Sequence, residues 1–478
     1  MTFQDRIASS LPWREILLTC AGLASIALLW PGKKAVGALA IDPFLWLAEA
    51  QACLCAAAAA LVWKGRSSAA TVWIVIGVAA VLRLGLVSQT PTLSDDIYRY
   101  IWDGRVQAAG INPYRYIPAD PHLAFLRDEE IYPHINRRDY APTIYPPCAQ
   151  MFFFAVTRVS ESILWFKTVL LGLEGLTLWL LARLLAAFNL PRARIVIYAW
   201  NPMVFWEFSS GHIDFLMTAL VLLTLLARRQ RRDTLTGVFF GWATLVKFLP
   251  LVLFPALYRR WGWKMPLAAA VTIGLFYLPY LGAGTHVFGF LSGYAGEQGM
   301  GDGRFFLLLL ARCLTGDGVI PLVVYLVVCF AAMLCLTRRA LWQWNESRNG
   351  FIISASCLGA AFLLFVSPEF PWYWIWLTPL LAFLPLPRLW PFFYMSCAAL
   401  FQYGKWFDDW KWFGLGINPF LARDLLQFAP AAIMGLGSYL YLLLTYRRTI
   451  GLVPPAARSA SPAVQMAAPR KSKSLVRN

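Results

Sequence analysis

The sequence predicts an all-α, polytopic membrane protein, and three observations predict it. Mean hydropathy is +0.57. Of the 478 residues, 59% are hydrophobic and only 14% charged, with 22 Trp, 33 Phe and 19 Tyr. Apolar runs recur along nearly the whole chain, many of them close to the ~20 residues that span a bilayer. Basic residues, finally, gather in short loops: Lys64 and Arg66; Arg192 and Arg194; Arg228, Arg229, Arg231 and Arg232; Arg259, Arg260 and Lys264; Arg338 and Arg339; Arg447 and Arg448. This is the positive-inside pattern, which marks those loops as cytoplasmic. It also accounts for the net charge of +17 without invoking nucleic acid.

With the basic loops inside, the chain can be threaded in order. Residues 1–30 carry Arg6 and Arg14 ahead of an apolar stretch with no small-x-small cleavage site, so they read as a first transmembrane helix. Helices are expected near 15–31, 43–63 and 70–89, the third delivering Ser94–Asp96 to the outer face. Residues 90–142 form a polar, Pro-rich outer loop that opens with a helix. Ser94 can cap it, Asp95 and Asp96 favour its positive end, and Gly110 with Asn112-Pro113 ends it. Residues 144–159 are too short and Pro-broken to span and read as a re-entrant or surface-lying helix.

Spans follow near 163–187, 195–208 and 212–228. Residues 235–260 read as two half-length helices broken at Lys247-Phe248-Leu249-Pro250. A helix near 264–281 leads into a Gly-rich outer loop, 282–304, which lacks a phosphate-loop pattern and reads as mobile. Spans near 318–337, 351–366, 372–387, 390–403 and 420–445 complete roughly 12 to 14 crossings. The expected organisation is two N-terminal helices (1–69), a catalytic bundle (70–445) and a basic, disordered cytoplasmic tail (446–478). Both termini then lie in the cytoplasm. The nine cysteines fall almost entirely inside apolar runs without metal-ligand spacing and read as buried free thiols. Asn345-Glu346-Ser347 matches a glycosylation acceptor but falls on the cytoplasmic side.

The chemistry concentrates in Ser94 to Tyr116, S-D-D-I-Y-R-Y-I-W-D-G-R-V-Q-A-A-G-I-N-P-Y-R-Y. Charges beside a bilayer are costly unless something uses them. On a helix Asp95, Arg99 and Asp103 share one face, with Asp96 beside them. That face offers carboxylates that can take a proton and a guanidinium that can grip a phosphate. The simpler alternative is that the aspartates only complement the helix dipole while Arg99 pairs with Asp103. Arg105 is a further cation of the same helix.

Other polar groups reach the same face. His212 and Asp214 in G-H-I-D either line a site or form a capping turn. Lys247, at a helix break, either snorkels or binds phosphate. Glu369 precedes Trp372 and Tyr373, in a run that is either an interfacial belt or a sugar-stacking surface. Arg304, Lys405, Asp408 and Asp409 join them, the last three as secondary candidates. Reactive groups at one leaflet boundary suit a substrate anchored in the membrane by a lipid. A transporter or flippase would place ionisable groups near the midplane, where only Glu174, Asn201 and Glu207 stand out.

These residues resemble the GT-C superfamily of integral-membrane glycosyltransferases, in particular the bacterial polyprenyl-phosphate-mannose-dependent mannosyltransferases (glycosyltransferase family 87-like). The resemblance rests on residues 94–114 and T-I-Y-P-P at 143–147. It continues through N-P-M-V-F-W-E-F-S-S-G-H-I-D at 201–214, L-V-K-F-L-P-L-V-L-F-P at 245–255 and S-P-E-F-P-W-Y-W at 367–374. It implies a catalytic aspartate in the first outer loop, Asp95 or Asp96, with inversion at the anomeric carbon. It also implies a polyprenyl-phosphate-linked sugar donor, a glycan or glycolipid acceptor, and chemistry at the outer face of a bacterial cytoplasmic membrane. Many relatives carry D-E or D-x-D where this chain has D-D, so either carboxylate can be the base. No cofactor is expected, and the scheme requires no metal.

Overall fold

A computed structural model describes residues 13–63, 67–259, 261–342, 350–404 and 419–451. Lys64, Arg66, Arg260, Lys405, Asp408, Asp409, Asn345-Glu346-Ser347 and the expected tail beyond Gly451 lie outside them. Among the described residues the chain is helical and holds no strand, as an all-α membrane protein requires. A bilayer leaves no water to satisfy backbone polar groups, so spanning segments must pair them internally.

The principal helices are α1 (Trp13–Gly37), α2 (Ile41–Trp63), α3 (Ala69–Val87), α4 (Asp96–Ala108), α5 (Pro147–Thr157), α6 (Ile163–Ala187), α7 (Pro202–Ser210) and α8 (Asp214–Arg229). They continue as α9 (Asp233–Thr244), α10 (Lys264–Tyr277), α11 (Phe306–Thr315), α12 (Val319–Trp342), α13 (Gly350–Val366), α14 (Leu386–Ala398) and α15 (Pro419–Gly451). Among the described residues six segments are long and apolar enough to cross a membrane: α1, α2, α3, α6, α12, and α10 with its extension to Phe288. Apolar side chains all round α12, among them Val323, Val327 and Phe330, are exposed, as a helix bathed in lipid requires.

Several expected spans are broken, and proline is the recurrent cause. Segment 195–208 divides at Asn201-Pro202, where the Asn201 side chain accepts a hydrogen bond from Met203 N at 3.1 Å and starts α7. Segment 372–387 is not one helix. Pro371, Pro379 and Pro385 cut it into a 3-10 turn (Pro371–Trp374), a short helix (Thr378–Leu381) and the start of α14. Each proline lacks an N–H and biases the residue before it away from helix. The expected break at Lys247–Pro250 separates α9 from a 3-10 turn, Leu249–Leu253. Helix α11, absent from the sequence-based threading, follows the Gly-rich loop.

Two further expectations need correction. Only Cys55 and Cys397 are buried; Cys20, Cys53, Cys313 and Cys335 are exposed, because no helix covers the outward faces of their own helices. The Gly-rich loop is built into the structure. It holds a short helix, Leu291–Glu297, and is tied back by Arg137 and Tyr140 to Glu297 and by Phe290 N to Thr143 O at 3.1 Å. Gly289 makes this approach possible: at φ +57, a Cβ there would sit 1.8 Å from Thr143 O.

Candidate active site

The motif helix α4 is held by the T-I-Y-P-P segment and α5. Gly104 lets them meet, since a Cβ there would lie 2.4 Å from Thr157 Oγ1 and 2.7 Å from Phe153 O. Tyr100 stacks on Phe153 with centroids 4.6 Å apart. Asp103 is buried and accepts from Arg99 Nε at 2.8 Å, from Gln150 Nε2 at 2.9 Å and from the Thr143 hydroxyl. A buried carboxylate must be matched in this way. Asp103 is therefore the anchor of α4 and does not reach the cavity. Its partner Arg99 does line the cavity, and also donates to Ala141 O at 3.2 Å.

Arg105 is not brought to the site. It donates to Asp128 at 2.6 Å, Glu161 at 2.8 Å and Leu126 O at 2.9 Å, clamping the loop that follows α4 onto it. Burial works against the Asp128 charge, yet Arg105 and the N–H groups of Tyr132 and Ile131 hold its carboxyl down at about 2.

The N-terminus of α4 opens into a cavity of about 800 Å³. Asp95 occupies the N-cap position but does not cap with its side chain; Ser94 Oγ instead accepts from Asp96 N at 3.3 Å. Both carboxylates are held by one amide: Asn136 Nδ2 donates to Asp95 Oδ1 at 2.9 Å and Asp96 Oδ1 at 2.7 Å. Partial withdrawal from water raises the Asp95 pKa. The neighbouring Asp96 charge adds to this, while the Asn136 hydrogen bond opposes it. A carboxylate raised in this way binds a proton more readily, as a general base must.

Arg137, Lys247 and Arg304 also line the cavity. Lys247 donates to buried Asp214 at 2.6 Å and stands 5.0 Å from the Tyr373 ring centroid. Asp214 is thus its counter-ion and lies behind the wall. Arg137 adopts φ +54 and pairs with Glu297 of the covering loop. A non-glycine residue in this region costs about 1–3 kcal/mol and persists only where surroundings impose it.

Glu369 and Tyr373 line the cavity, together with Gln402 and Asp424 from the far end of the chain. Tyr294 of the covering loop shares a hydrogen bond with Tyr373 through their hydroxyls. Trp372 reaches the cavity edge but is only 5% exposed, stacked on His212 at 4.2 Å and on Phe370 at 4.4 Å. Trp374 and Trp376 are buried too, so this run is no interfacial belt. Much of the remaining wall is apolar, with Leu93, Phe248, Phe290, Phe362, Leu363 and Val366.

His212 itself is fully buried beneath Asp96. Sequence reasoning missed Asn136, Arg137, Tyr294, Gln402 and Asp424 as site residues, and no periodicity or motif connects them to Asp95. Among the described residues no group of three or more His, Cys, Asp or Glu is disposed to hold a metal ion.

The arrangement offers a proton acceptor, fixed cations within one cavity, and an apolar wall beside them. The family model described as alpha-(1->6)-mannopyranosyltransferase, N-terminal domain, matches residues 18–263, just over half of the chain. No curated protein and no solved structure matches. The chain belongs to this mannosyltransferase family and is a membrane glycosyltransferase of the GT-C type.

Proposed function

We propose that this glycosyltransferase moves a mannosyl residue from a polyprenyl-phosphate donor to a hydroxyl of a glycan or glycolipid acceptor. The transfer takes place on the outer face of the cytoplasmic membrane and inverts the anomeric carbon. The α-(1→6) linkage follows from the family's description. The observation that carries the reading is the Asp95–Asp96 pair, bridged by Asn136, in the wall of a cavity that also contains Lys247, Arg137 and Arg304. One carboxylate, Asp95 by its freer position, takes the proton of the acceptor hydroxyl as that oxygen bonds to the anomeric carbon. The bond to the donor phosphate breaks and its electron pair leaves with the phosphate, where the fixed cations offset the developing charge. Glu369, Gln402, Asp424 and Tyr373 supply hydrogen bonds for sugar hydroxyls. Phe248, Phe362 and Val366 form an apolar flank for the lipid carrier, and no step calls for a metal.

The decisive experiment is transfer by the purified protein in proteoliposomes, comparing a radiolabelled polyprenyl-phosphate mannose with a nucleotide-linked mannose. Transfer from the lipid-linked donor alone is expected. Transfer from the nucleotide sugar alone overturns the donor assignment.

A further inference from the structure

The cavity wall carries a second polar row, supplied by a different part of the chain from the Asp95–Asp96 pair. Glu369, Gln402 and Asp424 all line the cavity, and all three lie beyond the residues that carry the family match. Gln402 sits in the 3-10 turn Ala399–Tyr403 that follows α14, and Asp424 in the first turns of α15, which packs along α14. Gln402 Nε2 donates to Asp424 Oδ1 at 2.9 Å and to Gln427 Oε1 at 3.2 Å. Gln427 is three residues on from Asp424 and so shares its face of α15. It is fully buried and donates to Met395 O at 3.1 Å, which ties the row to α14 from behind.

What this row leaves unpaired is hydrogen-bond acceptor only. Both N–H bonds of Gln402 Nε2 are taken, so its free polar atom is the carbonyl oxygen. That oxygen, Asp424 Oδ2 and both oxygens of Glu369 meet no donor among the described residues. Asp424 is 6% exposed and Gln402 8%, so the cavity is where a donor can reach them. Buried acceptors left unmatched are costly, and a ligand that donates to them removes that cost. The charged surroundings also differ from those of the first pair. Asp95 has Asp96 and Arg137 as charged neighbours, whereas Asp424 has Glu369 and Arg423. Arg304, from the covering loop, is 3.6 Å from Asp302.

Such a row attracts hydroxyl groups and repels anions. The donor phosphate is therefore kept away from it and belongs with Lys247 and Arg137. The donor sugar, joined directly to that phosphate, stays with it beside Asp95 and Asp96. A cavity of about 800 Å³ encloses more than one sugar ring. Acceptor atoms also attract metal ions, but Glu369 and Asp424 are joined by no third His, Cys, Asp or Glu among the described residues. We propose that Glu369, Gln402 and Asp424 form the subsite for the acceptor glycan and select an uncharged one, taking hydrogen bonds from its hydroxyls and repelling phosphate or carboxylate groups. The assignment rests on the proposed transfer to a glycan hydroxyl and adds to it where the acceptor binds and which class is chosen. Selection of this kind combines attraction for one ligand with repulsion of its competitor.

The test is transfer in proteoliposomes from radiolabelled polyprenyl-phosphate mannose to octyl mannobioside, and to the same disaccharide with a carboxylate on the ring beside the octyl group. The wild type is expected to favour the uncharged probe. Asp424→Asn and Glu369→Gln should each raise the KM for that probe by about 10- to 100-fold, the worth of one hydrogen bond to a charged group, with the donor KM in place. The preference over the charged probe should shrink as well. A raised donor KM with the acceptor KM unmoved assigns the row to the donor and overturns the inference, as does a fall in kcat alone. A magnesium or calcium dependence that the variants abolish while the probe's KM stays put makes the row a cation site and does the same. Failure of the wild type to use the lipid-linked donor at all instead sinks the underlying reading of the reaction. Should the variants fail to fold, the wild type decides. A diazirine-bearing octyl mannobioside is expected to label residues 367–374, 399–404 and 419–428, and label confined to 94–140 refutes the proposal.

Discussion

Two charged clusters in this apolar molecule differ in whether they face the cavity. Arg83 of α3 and Glu174 of α6 meet at 2.9 Å, with both side chains 1% exposed. Glu174 also takes the Tyr198 hydroxyl, and Arg83 donates to the carbonyl of Ala199. This cluster ties three elements together and does not line the cavity at Asp95, although Arg83 Nη2 is buried without a hydrogen-bond partner. Asp95 and Asp96 share one amide and lie in the cavity wall, with Lys247, Arg137 and Arg304 in the same cavity. A buried ion pair away from the cavity serves assembly, whereas charges in the cavity wall are open to a substrate.

The contrast is most directly broken by Asp95→Asn and Asp96→Asn. The variant that removes the base should lose about 10²- to 10⁴-fold in transfer rate while expression and melting temperature stay near wild type. Equal rates in both variants break the assignment. The mirror experiment is Glu174→Ala, which strands Arg83 and should cost about 3–5 kcal/mol of stability. Yield and thermal stability in detergent should fall, while the KM of the surviving protein is unchanged. Lys247→Met removes a cavity cation and also strands buried Asp214, so thermal stability should fall while the donor KM rises about tenfold; adding Asp214→Asn should recover stability and leave the KM raised. Glu297→Gln, which loosens the covering loop by about 1 kcal/mol or less, should mainly change donor on- and off-rates in stopped-flow binding.

A pH measurement sharpens the same comparison. The Asp95 pKa is raised, chiefly by partial withdrawal from water. A base works only when ionised, so activity should fall as pH drops through that raised value. The acid limb of kcat/KM should then lie above the range of an ordinary exposed aspartate. In Asn136→Ala the hydrogen bond that opposes the shift is gone, and the limb should move further up.

The membrane class, most long helices and the long loop after α3 were legible in one dimension, and Asp95, Asp96, Lys247 and Glu369, singled out there, line one cavity. Hydrophobicity, proline and helix-capping act over a few residues, so their signals survive in a linear string. The same string left Arg99 open between substrate binding and pairing with Asp103, and the folded chain shows both the pair and a place in the cavity wall. It could not separate Arg105, spent on Asp128 and Glu161, from the cations that line the cavity.

Nor could it show that Asn136 lies against Asp95, that Gln402 and Asp424 close the far side, or that Trp372 is occupied by His212. These depend on how broken helices distant in sequence pack against one another. Local chemistry along the chain determined that this is a helical membrane protein with an acidic motif after its third long helix. Which charges are satisfied and which remain open is a property of three-dimensional neighbours, so only the tertiary structure decided it.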